Sequence, residues 1–159
     1  MKFNTIRIEG AILSSDILDK IEQGELGGQL AKDFGFDTSI KVKDEIVKAW
    51  ADAQDLWRIF QRHRGDVGES ATGTSETRKF WIIPLLSLLG YEPESSKAEM
   101  VNGKTYAISH RSKNLDGYPV HIMGFNDRLD KKREDSGPRM SPHALVQEYL
   151  NLTEHLYAI

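Results

Sequence analysis

Residues 97–125 read KAEMVNGKTYAISHRSKNLDGYPVHIMGF, and within them the apolar spacing turns from helical to extended. KAEMV, KTYAISH and YPVHIMGF each read as a strand. The Asn102-Gly103 pair between the first two accepts the positive φ angles of a tight hairpin. A polar loop around residues 114–117 separates the second run from the third. A charged segment, residues 126–140, then leads into SPHALVQEYLNLTEHLYAI, residues 141–159. Ser141 can cap a helix there and Pro142 fits its first position. Leu145, Tyr149, Leu152 and Leu156 recur at spacings of four, three and four, one apolar helical face. Tyr157, Ala158 and Ile159 read as the entry to a further buried element, since chains commonly end in a polar, loosely held tail. The expectation is an N-terminal domain excised from a longer protein.

Upstream of these strands the chain is mainly helical. Residues 42–63 place Ile46, Trp50, Ala53, Trp57 and Phe60 on one stripe, with most of the charge off it. The two tryptophans suit core packing better than base stacking, because an indole brings so much area to a core. Residues 75–89 predict a second helix, kinked or broken at Pro84 and stopped by Gly90. Its near-continuous apolarity predicts burial on several sides. Residues 3–9 carry a weak strand pattern, and Ser14 or Ser15 caps a short helix with Ile17, Leu18 and Ile21 inward. Residues 24–36 are glycine-rich, but no Gly-Lys-Ser/Thr follows, so no phosphate loop is expected.

A length of 159 residues suits a single domain, mainly helical over 1–92, with strands and a covering helix over 93–159. The order predicts an α/β fold of the α+β kind: a small mixed sheet flanked by helices, with an N-terminal helical region. The hydrophobic share of 39% and charged share of 28% fit an ordinary globule. With no cysteine, disulfides, thiolate metal sites and cysteine nucleophiles are all excluded, which fits a reducing compartment. The opening MKFNTIRIEG lacks a signal-peptide profile. FWIIPLLSLLGY, residues 80–91, is too short and punctuated to span a bilayer. A cytoplasmic protein without a membrane partner is expected.

A helix, three strands and a covering helix are also the core order of the PD-(D/E)XK nuclease fold, which the 75–159 segment resembles. The phrases FWIIPLLSLLGY, TYAISHR and SPHALVQEYLNLTEHLYAI, with the FNTIRIEG opening, extend the likeness over nearly the whole chain. They resemble the N-terminal region of large bacterial type IIG restriction-modification methylases, including phage-defence relatives. The resemblance implies a metal-binding Asp at the end of the second strand and Glu-X-Lys on the third. Those positions fall near Ser109 and near Met123-Gly124-Phe125, and no acid occurs between Val120 and Phe125. Serine and methionine are poor Mg²⁺ ligands and phenylalanine carries no charge, so a nuclease-like fold without nuclease chemistry is expected. The methylase half is also missing: there is no Pro-Pro pair and no glycine loop for S-adenosylmethionine. That cofactor, and Mg²⁺, are expected in the parent, and none in this domain.

The net charge of −3 argues against general coating of nucleic acid, but it is unevenly spread. Residues 104–140 hold 8 Lys+Arg against 5 Asp+Glu. Arg111, Lys113, Arg128, Lys131, Lys132, Arg133 and Arg139 are the candidate DNA contacts, since in the resembled fold the loops after the second and third strands lie where DNA passes. Asp127, Asp130, Glu134 and Asp135 weaken that field. His110, His121 and His143 make a zinc site geometrically conceivable, without the tight spacing of a known motif. Ser109, His110 and Asp116 do not make a triad, because neighbours on a strand face opposite ways. Three roles stay open: a double-stranded-DNA-engaging or architectural domain of a restriction-modification methylase, with no catalytic residue of its own; a nuclease with a migrated acidic site, Asp116 with Asp127 or Asp130; and a docking domain for the rest of the parent chain.

Overall fold

The computed structural model describes residues 14–68, 71–132 and 140–159. The weak strand pattern of residues 3–9 lies outside them. Helices come first and short strands after, an α+β arrangement. The chain divides into two compact units, Met1–Lys48 and Ala49–Ile159.

In the first unit, α1 spans Ser15–Gln23 and stops at Gly24, whose φ of 74° only glycine adopts at little cost. The glycine-rich segment, expected to be irregular, contains a 3₁₀ turn over Ala31–Phe34. The Asp33 carboxylate starts it by accepting the Leu30 N–H at 2.9 Å. α2 runs over Val42–Gly65, across the boundary between the units, with Asp44 and Glu45 in its first turn and Arg62, His63 and Arg64 in its last. That polarity matches the helix dipole.

The apolar stripe of α2 does not form the core face its spacing predicted. Phe60 is 3% exposed, but Ile46, Trp50 and Trp57 are 61%, 65% and 42% exposed. Aromatic partners gather at the C-terminal end of the stripe: Trp57 meets Trp81 edge-on at 4.8 Å, and Phe60 meets Phe125 at 5.8 Å. Toward Trp50 no aromatic ring among the described residues covers the stripe.

The second expected helix is continuous but changes gauge. α3 spans Thr74–Thr77, a π-helical turn spans Arg78–Ile82, and α4 spans Ile83–Leu88. Pro84 sits in the first turn of α4 and withholds the N–H that the Phe80 carbonyl would receive in an α-helix. Widening to the π pattern keeps the chain helical around that gap. At the end, the Tyr91 N–H reaches Leu86 O at 2.9 Å and the Gly90 N–H reaches Ser87 O at 3.0 Å. With Gly90 at φ 86°, this is a Schellman ending.

The expected single mixed sheet is replaced by two small antiparallel ones. β1 (Pro93–Ser95), β4 (His110–Ser112) and β5 (Tyr118–Val120) form one, in the order β1-β4-β5. β2 (Glu99–Val101) and β3 (Lys104–Tyr106) form the other, a hairpin turning on Asn102 and Gly103 at φ 50° and 77°. The run KTYAISH therefore serves both sheets. Ser96 makes the break: its N–H and hydroxyl bond Ser109 O and Ile108 O, at 3.1 and 2.5 Å. YPVHIMGF is a strand only as far as Val120. Pro119 has no N–H, and its carbonyl faces away from β4 to accept the Ile159 N–H at 3.1 Å. The His121 N–H returns to Ile159 O at 2.8 Å, so Ile159 brackets Val120 with a parallel-type pair of bonds.

α5 spans Pro142–Leu152, shorter than the periodicity suggested. Leu145 and Tyr149 are buried, while Leu156 lies beyond the helix end and is 88% exposed. α5 covers Tyr106 and Ile108, with Val101, Met140 and Val146 at the margin. α4 and the π turn cover Val120 and Ile122 through Leu86, Ile82 and Ile83. Among the described residues, no helix is long and apolar enough to cross a membrane.

Candidate functional site

Two surface features of the Ala49–Ile159 unit stand out, and a line of aromatic rings joins them. The first is an open groove of about 610 Å³ lined by Trp50, Ala53, Gln54, Trp57, Arg58 and Trp81. Arg58 is held by Asp55 at 2.6 Å, so the groove is predominantly an indole surface. From Trp57 and Trp81 the rings continue through Phe60, 6.2 Å from Trp81, to Phe125. The second feature begins at the next residue: residues 126–132, a loop that exposes Arg128, Lys131 and Lys132.

The base of that loop is fastened to residues 71–77. The Phe125 N–H donates to Thr77 Oγ1 at 3.0 Å, and the Asn126 N–H and amide bond Thr72 O and Ala71 O at 3.2 and 2.8 Å. Gly124 lies so close to the Thr72 carbonyl that any Cβ would collide with it, and at Gly73 a Cβ would strike the Phe125 ring. The acids of the loop face inward or toward α5. Asp127 accepts the Gly124 N–H at 2.7 Å, and Asp130 meets His143 Nδ1 at 2.9 Å. Arg128, Lys131 and Lys132 have no carboxylate partner among the described residues.

The other predicted cations fare differently. Arg111 is drawn inside: its guanidinium bonds Glu99, the Tyr149 hydroxyl and Gly117 O, and lies over the Tyr149 ring. Tyr149 in turn donates to Glu99 at 2.8 Å. This network ties β4, the β2–β3 hairpin and α5 together. Lys113 is exposed and faces Glu94 at 3.5 Å. Arg133 and Arg139 lie outside the described residues.

Ser109 and His110 do touch, at 2.9 Å between Oγ and Nδ1, contrary to the expectation of opposite faces. Ser109 precedes β4, so strand alternation does not govern it. Its hydroxyl accepts the Ile122 N–H at 2.8 Å and lies 3.2 Å from Val120 O. That oxygen splices residues 120–122 to the start of β4. Burial, and then the positive charge of Arg78, push His110 below its ordinary pKa. His121 accepts the Ser109 N–H and His143 faces Asp130, so the histidines serve separate contacts.

The residues do not fit the metal that the nuclease fold would hold. Ser109 Oγ is committed to the backbone, Gly124 has no room for a side chain, and Phe125 packs in the aromatic line. Among the described residues, no three His, Asp or Glu side chains gather as a cation site. The indole groove escaped sequence reading because its spacing is also that of a core helix. No family model, curated protein or solved structure matches the chain.

Proposed function

We propose that this chain is a DNA-engaging, non-catalytic module of a restriction-modification methylase with a nuclease-like architecture. The observation that carries the reading is the fastened 126–132 loop, which presents Arg128, Lys131 and Lys132 without carboxylate partners among the described residues. Cations on an anchored loop meet phosphates without first breaking an ion pair or ordering a chain. Lys113 stands beside Glu94 at the far end of β4, and Arg111 acts as a strut. S-adenosylmethionine and Mg²⁺ belong, on this reading, to the parent's other domains.

Affinity for a fluorescent 30-base-pair duplex, measured across a salt series, tests it. Binding should fall as salt rises, and Arg128→Glu with Lys131→Glu and Lys132→Glu should flatten the log–log slope by about 2–3, near one phosphate per cation. An unchanged slope in the triple variant would reject the loop as the contact. Cleavage in Mn²⁺ that Asp116→Ala abolishes would favour the migrated-site nuclease. A second reading, docking onto protein, draws on the exposed faces of Trp50 and Trp57.

A further inference from the structure

The basic loop has a neighbour at its base that belongs to a different element. Arg64 is the next-to-last residue of α2, and its guanidinium carbon lies over the Phe125 ring, 5.1 Å from the centroid. Phe125 is the residue from which the 126–132 loop departs. Its ring is itself closely held: Phe60 meets it edge-on at 5.8 Å, and a Cβ placed on Gly73 would stand 2.1 Å from its Cε1. Arg64 lies outside the basic 104–140 stretch of the sequence, and only the fold brings it to the loop.

A cation in the last turn of a helix commonly serves the helix end or an ion pair. The end of α2 is closed by backbone instead: the His63 and Arg64 carbonyls accept the Asp66 and Val67 N–H groups, each at 3.3 Å. Among the described residues no carboxylate pairs with Arg64, Asp66 included. Arg58, one helical face away in function, is by contrast held by Asp55 at 2.6 Å. A cation–π contact holds a guanidinium through its charge and leaves its five N–H donors for another acceptor. Arg64 is therefore an exposed cation, ordered in advance, whose donors have no acceptor among the described residues. Ordering a long side chain before binding removes part of the entropy cost of a phosphate contact.

We infer that Arg64 is a phosphate contact of the same surface, so that two elements grip the duplex backbone, the end of α2 and the 126–132 loop, with Phe125 as the joint between them. The planar fork of a guanidinium takes a phosphate with two parallel bonds. Arg128 is three residues on from Phe125, so the two Cα atoms lie within about 11 Å, and arginine side chains are long enough to meet one stretch of backbone across that gap. The inference rests on the DNA reading and adds to it a contact on a second element.

The salt series with the fluorescent duplex, run on the 159-residue chain and its Arg64 variants, tests it. Arg64→Met keeps an aliphatic stem over Phe125 and removes the charge. It should weaken binding roughly tenfold near 0.1 M salt and flatten the log–log slope by about 1, the share of one phosphate. Arg64→Gln, a second neutral replacement, should act alike, and Arg64→Lys should keep the wild-type slope. Arg58→Met removes a cation from the same helix that is already paired, and should leave the slope unchanged. A residue that only braced the loop would lower affinity by one factor at every salt concentration, so parallel lines for Arg64→Met and the wild type would overturn the inference. An equal flattening in Arg58→Met would overturn it too, by assigning the effect to net charge. If the loop's triple charge reversal flattens the slope and Arg64→Met does not, the DNA reading stands and this contact alone falls. Salt-independent behaviour of the wild type would take down both.

Discussion

Ser109 shows how one hydroxyl can decide a local topology. Where β5 ends, the Ile122 N–H has no strand to bond, and Ser109 Oγ takes it at 2.8 Å. Ser109→Ala leaves that N–H buried and unpaired, at a cost of about 1–3 kcal/mol. Urea denaturation should read this as a lower midpoint with an unchanged slope. Its neighbour His110 is 3% exposed and is held below 6.5, first by burial and then by the charge of Arg78. A depressed folded-state pKa means that the unfolded chain takes up the proton first as pH falls. His110 thus contributes stability in full above the unfolded value, and that contribution is lost as pH falls through the folded one. Denaturation midpoints across this window should drop with acid in the wild type and drop less in His110→Gln. Parallel curves for the two would show that His110 is not the titrating group. Neither role is written locally in the sequence. A serine and histidine side by side suggest a strand and opposite faces, and only the departure of the chain at residues 107–109 brings them together.

At the scale of elements, local chemistry was legible wherever it did not depend on a distant partner. The Asn102-Gly103 turn, the Gly90 stop and the start of α5 at Ser141 all follow from backbone preference alone. Ser141 Oγ accepts the Ala144 N–H at 3.2 Å, so Ser141→Ala should cost about 1 kcal/mol, read as a shift in denaturation midpoint, while Ser141→Asp should hold it. Elements set by long-range pairing were not legible. β1 was missed because PES has no strand-like alternation; it exists because Glu94 and Ser95 find Arg111 and His110 across the sheet. Pro84 announced a disturbance, but whether a proline kinks, breaks or widens a helix depends on what packs around it. Here the widened turn sets Trp81 beside Trp57 and Arg78 beneath the sheet.

The Ala49–Ile159 unit as a whole presents two exposed features, the indole groove and the basic loop, and α2 is where sequence reading went furthest astray. A stripe at helical spacing reports which residues share a face, not whether anything covers it. Trp50 is 65% exposed on that stripe, and Arg128, Lys131 and Lys132 are exposed on a loop at the other end of the aromatic line. If duplex DNA is held through phosphates by the loop, an indole in the groove has little to do with it, because bases stacked within a duplex offer no free face. Trp50→Ser should then leave duplex affinity and its salt slope as in the wild type. Its stability should also stay within about 0.5 kcal/mol, as for other exposed positions. A gain in solubility is expected as well, since the substitution breaks a contiguous apolar patch. Should Trp50→Ser weaken duplex binding as much as the triple charge reversal does, loop and groove would be one continuous surface, and the nucleic acid would have to reach the indoles with its bases unpaired. An oligothymidine titration would then show it, with quenching of tryptophan fluorescence that saturates together with binding.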